Sequence, residues 1–97
     1  MTTEPMVYMV VGWTGEYSDR VDWPVRAFLS QANAERHRQA ASEWARAYKQ
    51  RWGNLDHTEA AKADRRTCPH DAKFTMDRYT GTDYEIWEAP LGDGELT

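Results

Sequence analysis

An α+β fold is what this 97-residue sequence predicts: one antiparallel sheet of about four strands, in the order ββααββ, with a single long helix lying across one face. Three features predict it. Two strand-like runs stand close together near the start, a stretch of 22 residues repeats its apolar positions with helical period, and two further strand candidates flank a turn near the end.

Met6 to Gly12 is rich in Val, contains Tyr8 and is bounded by Pro5 and Gly12, which marks a buried strand. Val21 to Phe28 sets Val21, Trp23, Val25 and Ala27 against Asp22, Pro24 and Arg26, so one face is apolar and the other wet. The two runs should pair antiparallel. Pro24 has no ladder N–H, so it belongs on an outer edge or at a bulge. The connection, Gly12-Trp13-Thr14-Gly15-Glu16-Tyr17-Ser18-Asp19-Arg20, holds more polar and aromatic residues than a plain turn needs and reads as a shaped surface loop.

Ser30 is a good N-cap for a helix from Gln31 to Trp52. Ala34, His37, Ala41, Trp44, Ala45, Tyr48 and Trp52 fall within about 60° of one line at about 100° per residue. Gly53 ends the helix, with Lys49 and Arg51 in its last turn where they favour the negative dipole end. Asp56 with Glu59 resembles a capping box before a short helix from His57 to Arg66, which Cys68-Pro69 stops. Ala72 to Tyr79 alternates Phe74 and Met76 with polar residues, Thr80 to Asp83 is turn-like, and Tyr84 to Ala89 is strand-like, so a second hairpin is expected. Residues 1–90 form one domain and 91–97 a frayed tail. There is no internal repeat.

Leu, Ile and Val are sparse, so much of the core falls to Trp13, Trp23, Trp44, Trp52 and Trp87, each able to bury roughly 150 to 250 Å². The expected packing sets Trp44, Tyr48 and Trp52 against Val7 or Tyr8, Trp23, Val25, Phe74 and Ile86. Cys68 is the only cysteine, which excludes an intrachain disulfide and points to a reducing compartment, the cytoplasm. The apolar run Met6 to Val11 is too short for a membrane span and lacks the basic flank of a secretory leader. The net charge of -4 is segregated: residues 1–30 carry -2, residues 31–66 carry +3, and residues 67–97 carry -5. That balance argues against nucleic acid as the direct ligand and towards a basic protein.

No catalytic set stands out. His57, Cys68, His70 and Asp71 are metal-capable types, but one thiol beside one imidazole lacks the paired spacing of a structural zinc site. A nucleophilic pair of Cys68 with His70 or His57 has no oxyanion donor near it, and His37 lies on the apolar helix stripe as a core or boundary histidine. Gly12 to Gly15 is followed by a strand, whereas phosphate loops open helices. Glu16 and Asp19 are paired carboxylates in a loop with no deep pocket to work in. No metal, no cofactor and no enzymatic activity are expected.

Val10-Val11-Gly12 with Thr14-Gly15-Glu16-Tyr17-Ser18-Asp19-Arg20, and Met76-Asp77-Arg78-Tyr79-Thr80-Gly81-Thr82-Asp83-Tyr84, resemble a group of small uncharacterised bacteriophage and prophage proteins. The resemblance covers both expected hairpins, about half the chain. The group reads Met-Asp-Tyr-Thr-Gly-Thr, so Arg78 is an insertion against its pattern, and the helical middle is unmatched residue by residue. The resemblance implies an accessory protein that binds and blocks a host protein, inhibitors of CRISPR effector complexes being one such class. The expected partner-binding residues are Trp13, Glu16, Tyr17, Asp19, Asp77, Asp83 and Glu85, with Trp13 and Tyr17 as anchors and the acids facing a basic, nucleic-acid-handling host protein. No membrane contact is expected. The alternative is a small structural or regulatory protein working as a homo-oligomer, a homodimer in the simplest case, through a sheet edge or aromatic patch.

Overall fold

The computed structural model describes residues 5–77 and 80–91, without the side chain of Tyr17. Its elements are β1 (Met6–Thr14), β2 (Val21–Phe28), α1 (Gln31–Trp52), α2 (Glu59–Arg65) and β3 (Thr82–Pro90), with short 3-10 turns at Tyr17–Asp19 and Gly53–Leu55. The fold is α+β. The strands form one antiparallel sheet in the order β2-β1-β3, and the Val-rich β1 is central because it alone can satisfy ladders on both sides.

Among the described residues there are three strands where about four were expected, and the ββααββ order is not seen. Residues 72–77 form no strand; Asp77 makes one isolated bridge to Gly81, and Arg78 and Tyr79 lie outside the described residues. Phe74 and Met76 are nevertheless buried, so their alternation reports two inward side chains on an irregular segment. The last strand pairs with β1 across the chain and not with a neighbouring hairpin arm. The expected tail also falls largely outside the described residues, which end at Leu91.

Pro24 lies on an edge strand, and the register shifts beside it: Val10 opposes Arg26 while Val11 opposes Pro24. The extra residue, Val25, turns inward, so the proline is accommodated at a bulge on an outer strand. α1 has the expected bounds. Ser30 Oγ accepts from Asn33 N, and the Gly53 N–H donates to the Lys49 carbonyl with φ of 47°. α2 is shorter than expected, and Thr58, not Asp56, caps it by accepting from Ala61 N. Thr58 has the extended backbone a cap requires, whereas Asp56 is already helical.

One face of the sheet is covered. Val10 and Tyr84 join Ala34, Ala41, Ala45 and Tyr48 of α1, Ala61 of α2, and Cys68, Phe74 and Met76 of the connecting segment in a single cluster, with Tyr8, Val25, Phe28, Trp44, Trp52 and Ile86 packed at its margin. The alanines let α1 approach the sheet closely. Trp44 stacks on Tyr48 at 5.6 Å, and Phe74 meets both rings edge-on at 5.0 Å. Tyr8 lies against the cluster, as one of the two expected alternatives; Val7 points the other way.

Candidate partner-binding surface

Side chains alternate along a strand, so the residues of β1 between those of the core define a second face. Val7, Met9, Val11 and Trp13 lie there, opposite Asp22, Pro24 and Ala27 of β2 and Asp83, Glu85, Trp87 and Ala89 of β3. None of these residues belongs to the core cluster. Val11 is 1% exposed because it sits mid-sheet, flanked in register by Pro24 and Glu85 and along its strand by Met9 and Trp13. Trp87, beside Met9, is 48% exposed. Leu29 and Leu91, just past the ends of β2 and β3, are also exposed.

The face is apolar towards the start of β1 and charged towards its end. There Arg20 places its guanidinium 4.3 Å from the Trp13 ring centre and bonds Glu85 at 2.5 Å, with Asp22 at 3.9 Å. It pins Trp13 beneath a cation and joins β3 to the segment entering β2. Two carboxylates surround this one cation, so the corner remains acidic, and Asp83 adds a third carboxylate in register with Trp13.

The 15–20 loop is fixed to the start of β3. Gly15 has φ of 93°, and a Cβ there would stand 2.4 Å from the Asp19 carbonyl oxygen. Asp19 N donates to the Glu16 carbonyl, Gly15 N to Thr80 Oγ1, and Thr14 Oγ1 to the Gly81 carbonyl at 2.6 Å. Asp77 N in turn donates to Thr14 Oγ1. These bonds bring together the two motif segments that the sequence places 65 residues apart.

The expected binding residues divide into two groups. Glu16, Asp19 and Asp77 line a cleft of about 290 Å³ with Thr80. Trp13, Asp83 and Glu85 belong to the outer face. Tyr17 lies in the 3-10 turn beside the cleft, its side chain outside the described residues. Sequence reasoning missed Trp87 and Met9 as surface residues and Arg20 as the group that orients Trp13. The signal for Trp87 was present in the order Tyr84, Ile86 inward and Glu85, Trp87 outward along β3.

The reactive side chains make contacts within the fold. Asp71, 3% exposed, accepts from Trp23 Nε1 at 3.0 Å, Tyr84 Oη at 2.7 Å and the Lys73 backbone N–H. Burial chiefly, and the neighbouring Asp71 charge, push the Tyr84 phenol far above its ordinary range. Burial also pushes the Cys68 thiol up, which keeps it protonated. His37 Nε2 bonds the His70 carbonyl, and His57 Nδ1 bonds that of Asn54. Among the described residues no three His, Cys, Asp or Glu side chains meet in a metal-binding group, and no helix is long and apolar enough to cross a membrane. No family model, curated protein or solved structure matches the chain.

Proposed function

We propose that this is a small non-enzymatic, phage-type binding protein that blocks a host protein in the host cytoplasm by contact through the outer sheet face. The observation that carries the reading is that face: among the described residues, a three-stranded sheet with its long helix on one side only and Trp87 half exposed on the other. Exposed aromatic residues on a rigid, hydrogen-bonded scaffold are the usual anchors of protein contacts.

Charge selects a basic partner over a second copy. In a twofold face-to-face dimer, the Asp22, Asp83 and Glu85 corner would meet either its own copy or the apolar end, while Arg20, the cation placed there, is already engaged. A basic protein satisfies the corner and covers Trp87 together. A host effector complex whose channels hold nucleic acid by positive charge is a partner of this kind. Two strands of nine residues and one of eight present about 30 by 14 Å. That is roughly half of the ~800 Å² per partner in a standard interface, so contact must extend onto the 15–20 loop and its acidic cleft.

The test is affinity capture from host lysate followed by titration of the captured protein with variants. Trp87→Ala should weaken binding at least tenfold with an unchanged melting temperature, and Glu16→Lys/Asp19→Lys should weaken it several-fold. Full affinity in Trp87→Ala would remove the outer face as the binding site. The homo-oligomer reading draws on the same uncovered face and predicts a sedimentation mass that doubles with concentration.

A further inference from the structure

A cavity of about 230 Å³ lies between α1 and the start of β3, lined by Ser42, Arg46, Lys49, Gly81, Thr82 and Asp83 among others. It shares Thr80 with the acidic cleft and touches the outer face's corner at Trp13 and Asp83, while its remaining lining comes from α1 and the start of β3. Ser42, Arg46 and Lys49 stand at i, i+4 and i+7 of α1 and share one stripe of the helix. The Lys49 stem lies over Gly81, whose φ of 74° and missing Cβ make room for it; a Cβ there would meet the stem at 3.0 Å.

Two donors in this lining have nothing to donate to among the described residues. Ser42 is 8% exposed, and its Oγ is buried without a hydrogen-bond partner. An unsatisfied buried hydroxyl costs about 1 to 3 kcal/mol, so it calls for an explanation. One turn on, the Arg46 guanidinium is exposed and forms no ion pair or hydrogen bond among the described residues. The other two hydroxyls are committed: Thr82 Oγ1 donates to the Thr75 carbonyl, and Thr80 Oγ1 accepts from Gly15 N. Asp83 is the opposing charge, and it accepts from the Tyr84 N–H and feels the charge of Arg38.

We propose that this cavity binds a phosphate-type oxyanion, held by Arg46 and Lys49 and reached by the Ser42 hydroxyl. Two donors without partners among the described residues, the Arg46 guanidinium and the Ser42 hydroxyl, with the Lys49 cation beside them, suit a compact anion with several acceptor oxygens. The cavity is several times the roughly 30 Å³ share of one water, which leaves room for a phosphate group.

The test is an amide NMR titration with inorganic phosphate, with chloride at matched ionic strength as the control and a nucleoside monophosphate as a second arm. Saturable shifts confined to residues 42–49 and 81–83 are expected with phosphate and not with chloride. Arg46→Gln should weaken binding at least tenfold. Ser42→Ala should weaken it several-fold without lowering the melting temperature, because its Oγ has no hydrogen bond among the described residues to lose. Tighter binding of the nucleotide identifies a phosphorylated organic ligand, and equal binding identifies free phosphate. Shifts that do not saturate, that match chloride, or that survive both substitutions would overturn the proposal.

Discussion

Gly12 shows how one missing side chain organises the covered face. A Cβ there would stand 2.8 Å from two carbons of the Trp23 ring and 2.9 Å from Cε1 of Tyr84, so both rings close over bare backbone. Only in that position do Trp23 Nε1 and Tyr84 Oη reach the same Asp71 carboxylate. Gly12→Ala should therefore cost about 1 to 3 kcal/mol through overpacking. Thermal melting checks it: a loss near the middle of that range lowers the midpoint by roughly 10 °C in a domain of this size, and an unchanged midpoint would mean the rings can part freely. The same hub sets an alkaline limit. The folded state holds the Tyr84 proton above the phenol's ordinary pKa of 10.0, while the unfolded chain releases it there. The unfolded state then binds fewer protons, so this stabilisation is whole below about pH 10 and declines as pH rises further. Tyrosinate absorbance followed with circular dichroism should show Tyr84 ionising only as the fold is lost, and Tyr84→Phe should flatten the decline. Neither Gly12 nor Asp71 announces this role in the sequence, because the contacts that define it reach from Gly12 to Tyr84 and from Trp23 to Asp71.

At the scale of elements, α1 is held by its packed stripe more than by its ends. Trp44 packs on both the Tyr48 and the Phe74 rings, so Trp44→Ala should cost about 3 kcal/mol and loosen the connecting segment as well as the helix. Denaturant unfolding measures the cost, and a loss below about 1 kcal/mol would show that Trp44 is a surface residue. The contrast between α1 and the second expected hairpin explains what a sequence of this kind reveals. Helix bounds were legible because six turns repeat the same stripe and because Ser30 and Gly53 punctuate it with their own chemistry. β1 and β2 were legible for a similar reason, being local neighbours with a proline that has few places to go. Residues 72–77 defeated the pattern because two buried residues at even spacing satisfy both a strand and an irregular segment pinned by Asp71. The partnership of β1 with β3 joins chain segments about 75 positions apart, and no local period encodes it. Of the candidate surface, the loop and the acids were legible from composition; the outward Trp87 needed the register of β3, which only that distant pairing supplies.

At the scale of the whole molecule, the described residues leave the two faces of the sheet unlike. Aromatic and small residues bind α1 and the 66–77 segment to one sheet face, while the opposite face offers Met9 and Trp87 at one end and an acidic corner at the other. The proposed binding to a basic partner through that corner would have two separable parts. The acids steer the approach over the reach of about 8 Å that physiological salt allows, so Asp22→Lys or Asp83→Lys should slow association and flatten its dependence on salt. Asp83 is the cleaner choice of the two, because Asp22, like Glu85, pairs with the Arg20 that covers Trp13. Trp87 acts after encounter by excluding water, so Trp87→Ala should leave the association rate nearly unchanged and raise the dissociation rate at least tenfold. Stopped-flow or surface-based kinetics on the captured partner at two salt concentrations resolves the two effects. Equal loss of association rate in both classes of variant would mean that the outer face is disrupted as a unit, and no salt dependence in the parent would show that the acidic corner plays no part in recognition.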